Sequence, residues 1–182
     1  MSRPALAASA LAFGPVILAC GARPAQEGRG ESAADTSSET ERAVAVTDTV
    51  QAGGRRLELL EDGAGCVVRF DGVARGKLVL VPEPPCYFAR RAGRPQTFSY
   101  PDIGVQSALV VLGSAARPEV RRRWNLPVTA VCGEETQAVL LIGERVVVTR
   151  AVNRGGVTCR DTGADEKVFW AFAHDELRGP NR

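Results

Sequence analysis

The stretch Gln137-Ala138-Val139-Leu140-Leu141-Ile142-Gly143-Glu144-Arg145-Val146-Val147-Val148-Thr149-Arg150 decides how this chain folds. Two aliphatic, β-branched runs flank a two-residue connection in which glycine stands first. Glycine accepts positive φ without a Cβ clash, so Gly143-Glu144 suits a type II′ turn and the runs read as a β-hairpin. The same signature, a short apolar run closed by Gly, Pro or Asp, recurs outward in both directions. It marks strands at Arg56 to Leu60, Cys66 to Phe70, Lys77 to Val81, Ser107 to Leu112, Val128 to Cys132 and Val157 to Cys159.

Two segments do not follow it. Thr162 with Asp165 three residues on has the spacing of a capping box, yet Lys167 to Ala173 holds a valine and three aromatics, which favours a strand. The strand is expected there. Pro118 to Trp124 hints at one helical turn, with proline in the first position. The sum is a mainly β domain: a small antiparallel barrel or sandwich. A β-trefoil is a further option, because Cys66 to Cys86 and Gln137 to Cys159 share the order strand, turn, strand, turn, cysteine. No third copy stands between Thr97 and Pro127.

The first twenty residues differ in kind. Arg3 supplies a positive start, and Ala5 to Ala19 is an apolar run too short for a bilayer, which takes about 20 residues, but suited to a secretory signal. Its close, Ile17-Leu18-Ala19-Cys20, resembles the lipobox of bacterial lipoproteins, with Ile17, Ala19 and Cys20 at the matching places. The resemblance implies cleavage of 1–19 and acylation of Cys20 as the new N-terminus. Gly21 after the cysteine resembles the outer-membrane class and not the retained one. The implied address is the cell envelope, anchored by lipid in an outer membrane and facing the periplasm, since two or more acyl chains anchor stably. From Gly21 to about Val50 the chain lacks aromatics and is acidic, and it reads as a disordered linker. Its ends lie roughly 30 Å apart as a flexible coil. Residues 51–182 are then a single β-rich domain.

With Cys20 given to lipid, Cys66, Cys86, Cys132 and Cys159 form an even set in an exported protein, and disulfides are expected. Three connectivities exist. Loop-closure entropy and the internal echo favour Cys66 with Cys86 and Cys132 with Cys159. Close C-x-x-C pairs are missing, which argues against zinc, and no metal or cofactor is expected.

Charge excludes one class of partner. Residues 51–182 carry 19 basic and 15 acidic side chains, an excess too small and scattered for nucleic acid. The candidate binding residues are Arg121, Arg122, Arg123 and Trp124, where guanidiniums beside an indole suit acidic lipid headgroups, lipopolysaccharide phosphates or an acidic protein face. Arg90, Arg91 and Arg94 form a second basic cluster. Catalytic candidates are thinner. His174 beside Asp175 is the one histidine, Glu134-Glu135 the one acid pair near a cysteine, and no Gly-x-Ser-x-Gly elbow supports Ser99, Ser107 or Ser114. Asp161 to Glu166 is oxygen-rich but lacks calcium-loop spacing and reads as a polar turn. The expected function is therefore binding of a macromolecular partner, an envelope protein or glycan, by a membrane-tethered domain that is not an enzyme. The alternative is an envelope hydrolase using His174.

Overall fold

The computed structural model describes residues 44–62, 65–70 and 76–178. Cys20, the leader 1–19 and the linker up to 43 lie outside the described residues.

The strands, in chain order, are β1 (Ala45–Ala52), β2 (Arg55–Asp62), β3 (Gly65–Phe70), β4 (Gly76–Leu80), β5 (Tyr87–Phe88), β6 (Arg90–Arg91), β7 (Arg94–Pro95), β8 (Thr97–Tyr100), β9 (Val105–Ala115), β10 (Cys132–Ile142), β11 (Arg145–Asn153) and β12 (Thr158–Cys159). Helix α1 (Pro118–Arg123) follows β9, and helix α2 (Glu166–Arg178) closes the fold. One sheet is the meander β1-β2-β3-β4. The other has the order β11-β10-β9-β5, with β12 alongside β10 and β8 alongside β9. All pairings are antiparallel. Both sheets stay open, so among the described residues the architecture is a sandwich; no barrel closes, and the trefoil's third unit does not form.

The Gln137 to Arg150 hairpin forms as expected. Ile142 faces Arg145, and Gly143 has φ of 57° while Glu144 is not among the positive-φ residues, as a II′ turn requires. The continuous apolar runs of β9 and β10 have a structural cause. Leu109, Val111, Val139 and Leu141 face the first sheet, packing on Leu57, Leu59, Val68 and Phe70. Their neighbours Val110, Leu112, Ala138 and Leu140 face the other way, onto Phe169, Phe172 and Ala173 of α2. Two central strands buried on both faces make a three-layer β–β–α domain.

Both disulfides pair as expected. Cys66–Cys86 ties β3 to the residue before β5, joining the two sheets, with Cα atoms 6.1 Å apart. Cys132–Cys159 links cross-strand partners of β10 and β12. Each closes a loop of twenty-odd residues, worth about 3 kcal/mol in the chain-entropy picture.

Three expectations are corrected. The linker does not run to Val50, because Ala45–Ala52 is a strand that pairs with β2 around Gly53-Gly54, both at positive φ. Lys167 to Ala173 is helical: Phe169, Phe172 and Ala173 fall on one helical face and cover a sheet that would otherwise be bare, so tertiary packing overrides local strand propensity. Asp165 caps that helix, its Oδ1 accepting the Lys167 N–H at 2.9 Å, whereas the Thr162 hydroxyl turns to the Cys159 carbonyl. Val128-Thr129 is a turn, Ala130-Val131 follows without regular structure, and the strand begins at Cys132.

Candidate functional site

Between β9 and β10 the chain leaves the sheet at Ala116 and rejoins it where Gly133 pairs with Ala115. The excursion starts with α1. Arg117 precedes a proline and is extended, φ −64° and ψ 154°, because the pyrrolidine ring disfavours a helical neighbour. The helix ends in a Schellman motif. Asn125 adopts φ of 48°, and the N–H groups of Leu126 and Asn125 return to the carbonyls of Arg121 and Arg122.

Two clamps fix this loop to the sandwich. The Arg117 guanidinium grips the Glu134 carboxylate through Nε and Nη2, at 3.0 and 2.7 Å, and the Arg117 backbone N–H adds a third bond at 2.7 Å. Those bonds hold the Glu134 carboxyl below the usual carboxylate range and raise Arg117. The Arg121 guanidinium donates to the carbonyls of Ala130 and Val128, each at 3.0 Å, and to that of Pro127.

The predicted binding run therefore divides. Arg121 is turned inward and spent on loop geometry. Arg122 and Arg123 are exposed, and their guanidiniums find no hydrogen-bond or ion-pair partner among the described residues. Trp124 is 56% exposed, and Val128, expected in a strand, stands 94% exposed beyond the clamped turn. A rigid platform thus presents two guanidiniums, an indole and an isopropyl group to solvent.

The other sequence candidates go elsewhere. Arg90 is not part of a surface cluster: it bonds the buried Asp48 at 2.6 Å, and Asp48 also accepts the Phe88 N–H, locking β1 against β5. Arg91 reaches the Ala164 carbonyl. Glu134 and Glu135 are not in a solvated turn but at the start of β10, and they take separate partners. Glu135 accepts from the Ser114 hydroxyl at 2.8 Å and Arg154 at 2.7 Å, and the Arg154 bond lowers its carboxyl too. Both glutamates are held as anions that accept hydrogen bonds. His174 is buried against Trp170, ring centroids 4.0 Å apart. Its Nδ1 lies 2.9 Å from the Trp170 carbonyl, which fixes that nitrogen as the donor, and Nε2 lies 3.7 Å from Asp102. Its carboxylate neighbour is Asp102 and not the adjacent Asp175.

The fold and site define a class: a disulfide-stapled β-sandwich with a helix on one face and a basic-aromatic excursion at one edge. Compared with protein-family models, with curated proteins and with solved structures, the chain matches none.

Proposed function

We propose that the chain is an envelope lipoprotein, acylated at Cys20 and facing the periplasm from the outer membrane, whose β domain binds an acidic face of another macromolecule through Arg122, Arg123, Trp124 and Val128. The observation that carries the binding reading is the clamped excursion. Arg and Trp are the side chains that dominate binding energy at interfaces, and here they stand on a main chain already held by the two clamps, so little backbone entropy is lost on contact. The paired cysteines support an oxidising compartment.

The hydrolase alternative gains no such support. A general base needs a substrate or nucleophile proton within hydrogen-bond reach, and the two nitrogens of His174 face a main-chain carbonyl and Asp102. A packing role suits it better.

The test is charge reversal. Arg122→Glu with Arg123→Glu, two exposed positions, keeps the fold and abolishes co-isolation of the envelope partner, while Arg94→Glu, on a different hairpin, leaves it intact. Equal recovery by all three proteins would refute the reading.

A further inference from the structure

Strand β11 is the last strand of its sheet, and its outer edge has no strand partner among the described residues. The Arg150 N–H is answered instead by the Glu176 carboxylate of α2, at 2.7 Å, which sets the helix alongside the strand. From that contact the helix leads back toward Lys167 while the strand continues to Asn153. Between them lies a groove of about 320 Å³. Its walls are apolar: Val152 comes from the strand, and Val168, Ala171 and Phe172 come from the helix, where spacings of three and four residues put them on one stripe. The volume falls at the lower end of the range for small-ligand sites, about 300–1,000 Å³.

One charged residue stands at each end. Lys167 and Asp175 are eight residues apart on α2, about 12 Å along the helix axis. Both are exposed, and neither side chain has a hydrogen-bond or ion-pair partner among the described residues. Asp165, whose carboxylate caps the helix at the Lys167 N–H, lines the neighbouring chamber and not this groove. The helix dipole favours the same polarity as the two side chains, a ligand anion at the N-terminal end of α2 and a ligand cation in its last turn.

This pattern selects a ligand class. The groove asks for a negative and a positive group about 12 Å apart with an apolar body between them. An extended peptide advances roughly 3.3–3.6 Å per residue. Three residues therefore separate a free carboxylate from a free ammonium by about 10–11 Å, and the flexible Lys167 stem spans the remainder. The peptide's main chain then runs beside the β11 edge, the arrangement by which extended peptides add to sheets.

We infer that the groove between β11 and α2 binds a short apolar peptide with free ends, its carboxylate toward Lys167 and its ammonium toward Asp175. The groove is separate from the excursion and does not depend on the function proposed for it.

The test titrates the full-length oxidised chain, ¹⁵N- and methyl-labelled, with trivaline, with its N-acetyl and C-amide forms and with divaline, while recording NMR spectra. Trivaline should give saturable shifts at the methyls of Val152, Val168 and Ala171. Each blocked form should bind about threefold more weakly, the scale of one exposed ion pair. Divaline, too short to meet both charges, should also bind more weakly. Lys167→Gln should abolish the preference for a free carboxylate and keep the preference for a free ammonium, and Asp175→Asn should do the reverse. Both positions are exposed, so both variants keep the fold. No saturation by trivaline, equal binding of its free and blocked forms, divaline binding as tightly as trivaline, or end preferences that the two variants leave unchanged would each overturn the inference.

Discussion

Replacing Phe169 by alanine tests the helical layer formed by a segment whose composition favours a strand. The ring is fully buried between α2 and the second sheet, with its centroid 4.8 Å from that of Phe98. Truncating such a residue costs about 3–5 kcal/mol, the transfer loss plus the cavity. Phe172, 5% exposed on the same helical face, should cost nearly as much. Trp170 lies between them in sequence but is 45% exposed, so half its burial and its stacking on His174 are at stake, about 1–2 kcal/mol. The order of costs follows from helical geometry. In an extended segment Phe169 and Phe172 would point to opposite faces, and Trp170 would share a face with Phe172. Urea unfolding of the oxidised chain followed by circular dichroism measures all three variants. For a domain stable by about 5–15 kcal/mol, Phe169→Ala should remove about a fifth of the total or more. A cost for Trp170→Ala equal to or above that of either phenylalanine variant would refute the packing.

Further outcomes follow from the charges and the address. Because Arg117 and Arg154 depress the Glu134 and Glu135 carboxyls below 4.5, their contribution is present above that value and lost as pH falls through the lower folded-state value. Hydrogen-exchange protection of the 117–131 amides should therefore hold down to about pH 5 and fail below it, and Glu134→Gln should weaken it at neutral pH; failure beginning near pH 6 would contradict the clamp. Burial, aided by the Glu166 charge, pushes the Tyr100 phenol from 10.0 up to about 12, so stability is full below pH 10 and declines as pH rises through 12. Tyr100→Phe should flatten that decline, and an unchanged alkaline slope would show that the phenol is not the cause. Mass spectrometry of the mature chain should find an acylated Cys20 at the N-terminus; an unmodified cysteine there would remove the tether.

What the sequence showed and what it hid divide along physical lines. The Gly143-Glu144 turn and the cysteine pairs rest on local signals, a required φ and a loop length, and both forms are found. The strand Ala45–Ala52 was concealed by its small and polar side chains, although Gly53-Gly54 is a hairpin signal that could have exposed it. For α2 the local signals conflicted. The aromatics of Lys167 to Ala173 suit a strand until the bare faces of β9 and β10 require a cover, and only the assembled sheet supplies that requirement. Arg121, Arg122 and Arg123 are indistinguishable in sequence, yet the carbonyls of Pro127, Val128 and Ala130 take the first and leave the others outward.

The excursion is the surface proposed to meet a partner, and photo-crosslinking in intact cells reads that directly. A photoreactive amino acid at position 124 is compared with one at Val79, which is 71% exposed on the first sheet. A discrete adduct from position 124, absent from position 79 and lost with Arg122→Glu and Arg123→Glu, is the expected result. Adducts of equal yield from both positions, or an adduct at 124 that survives the charge reversal, would contradict it.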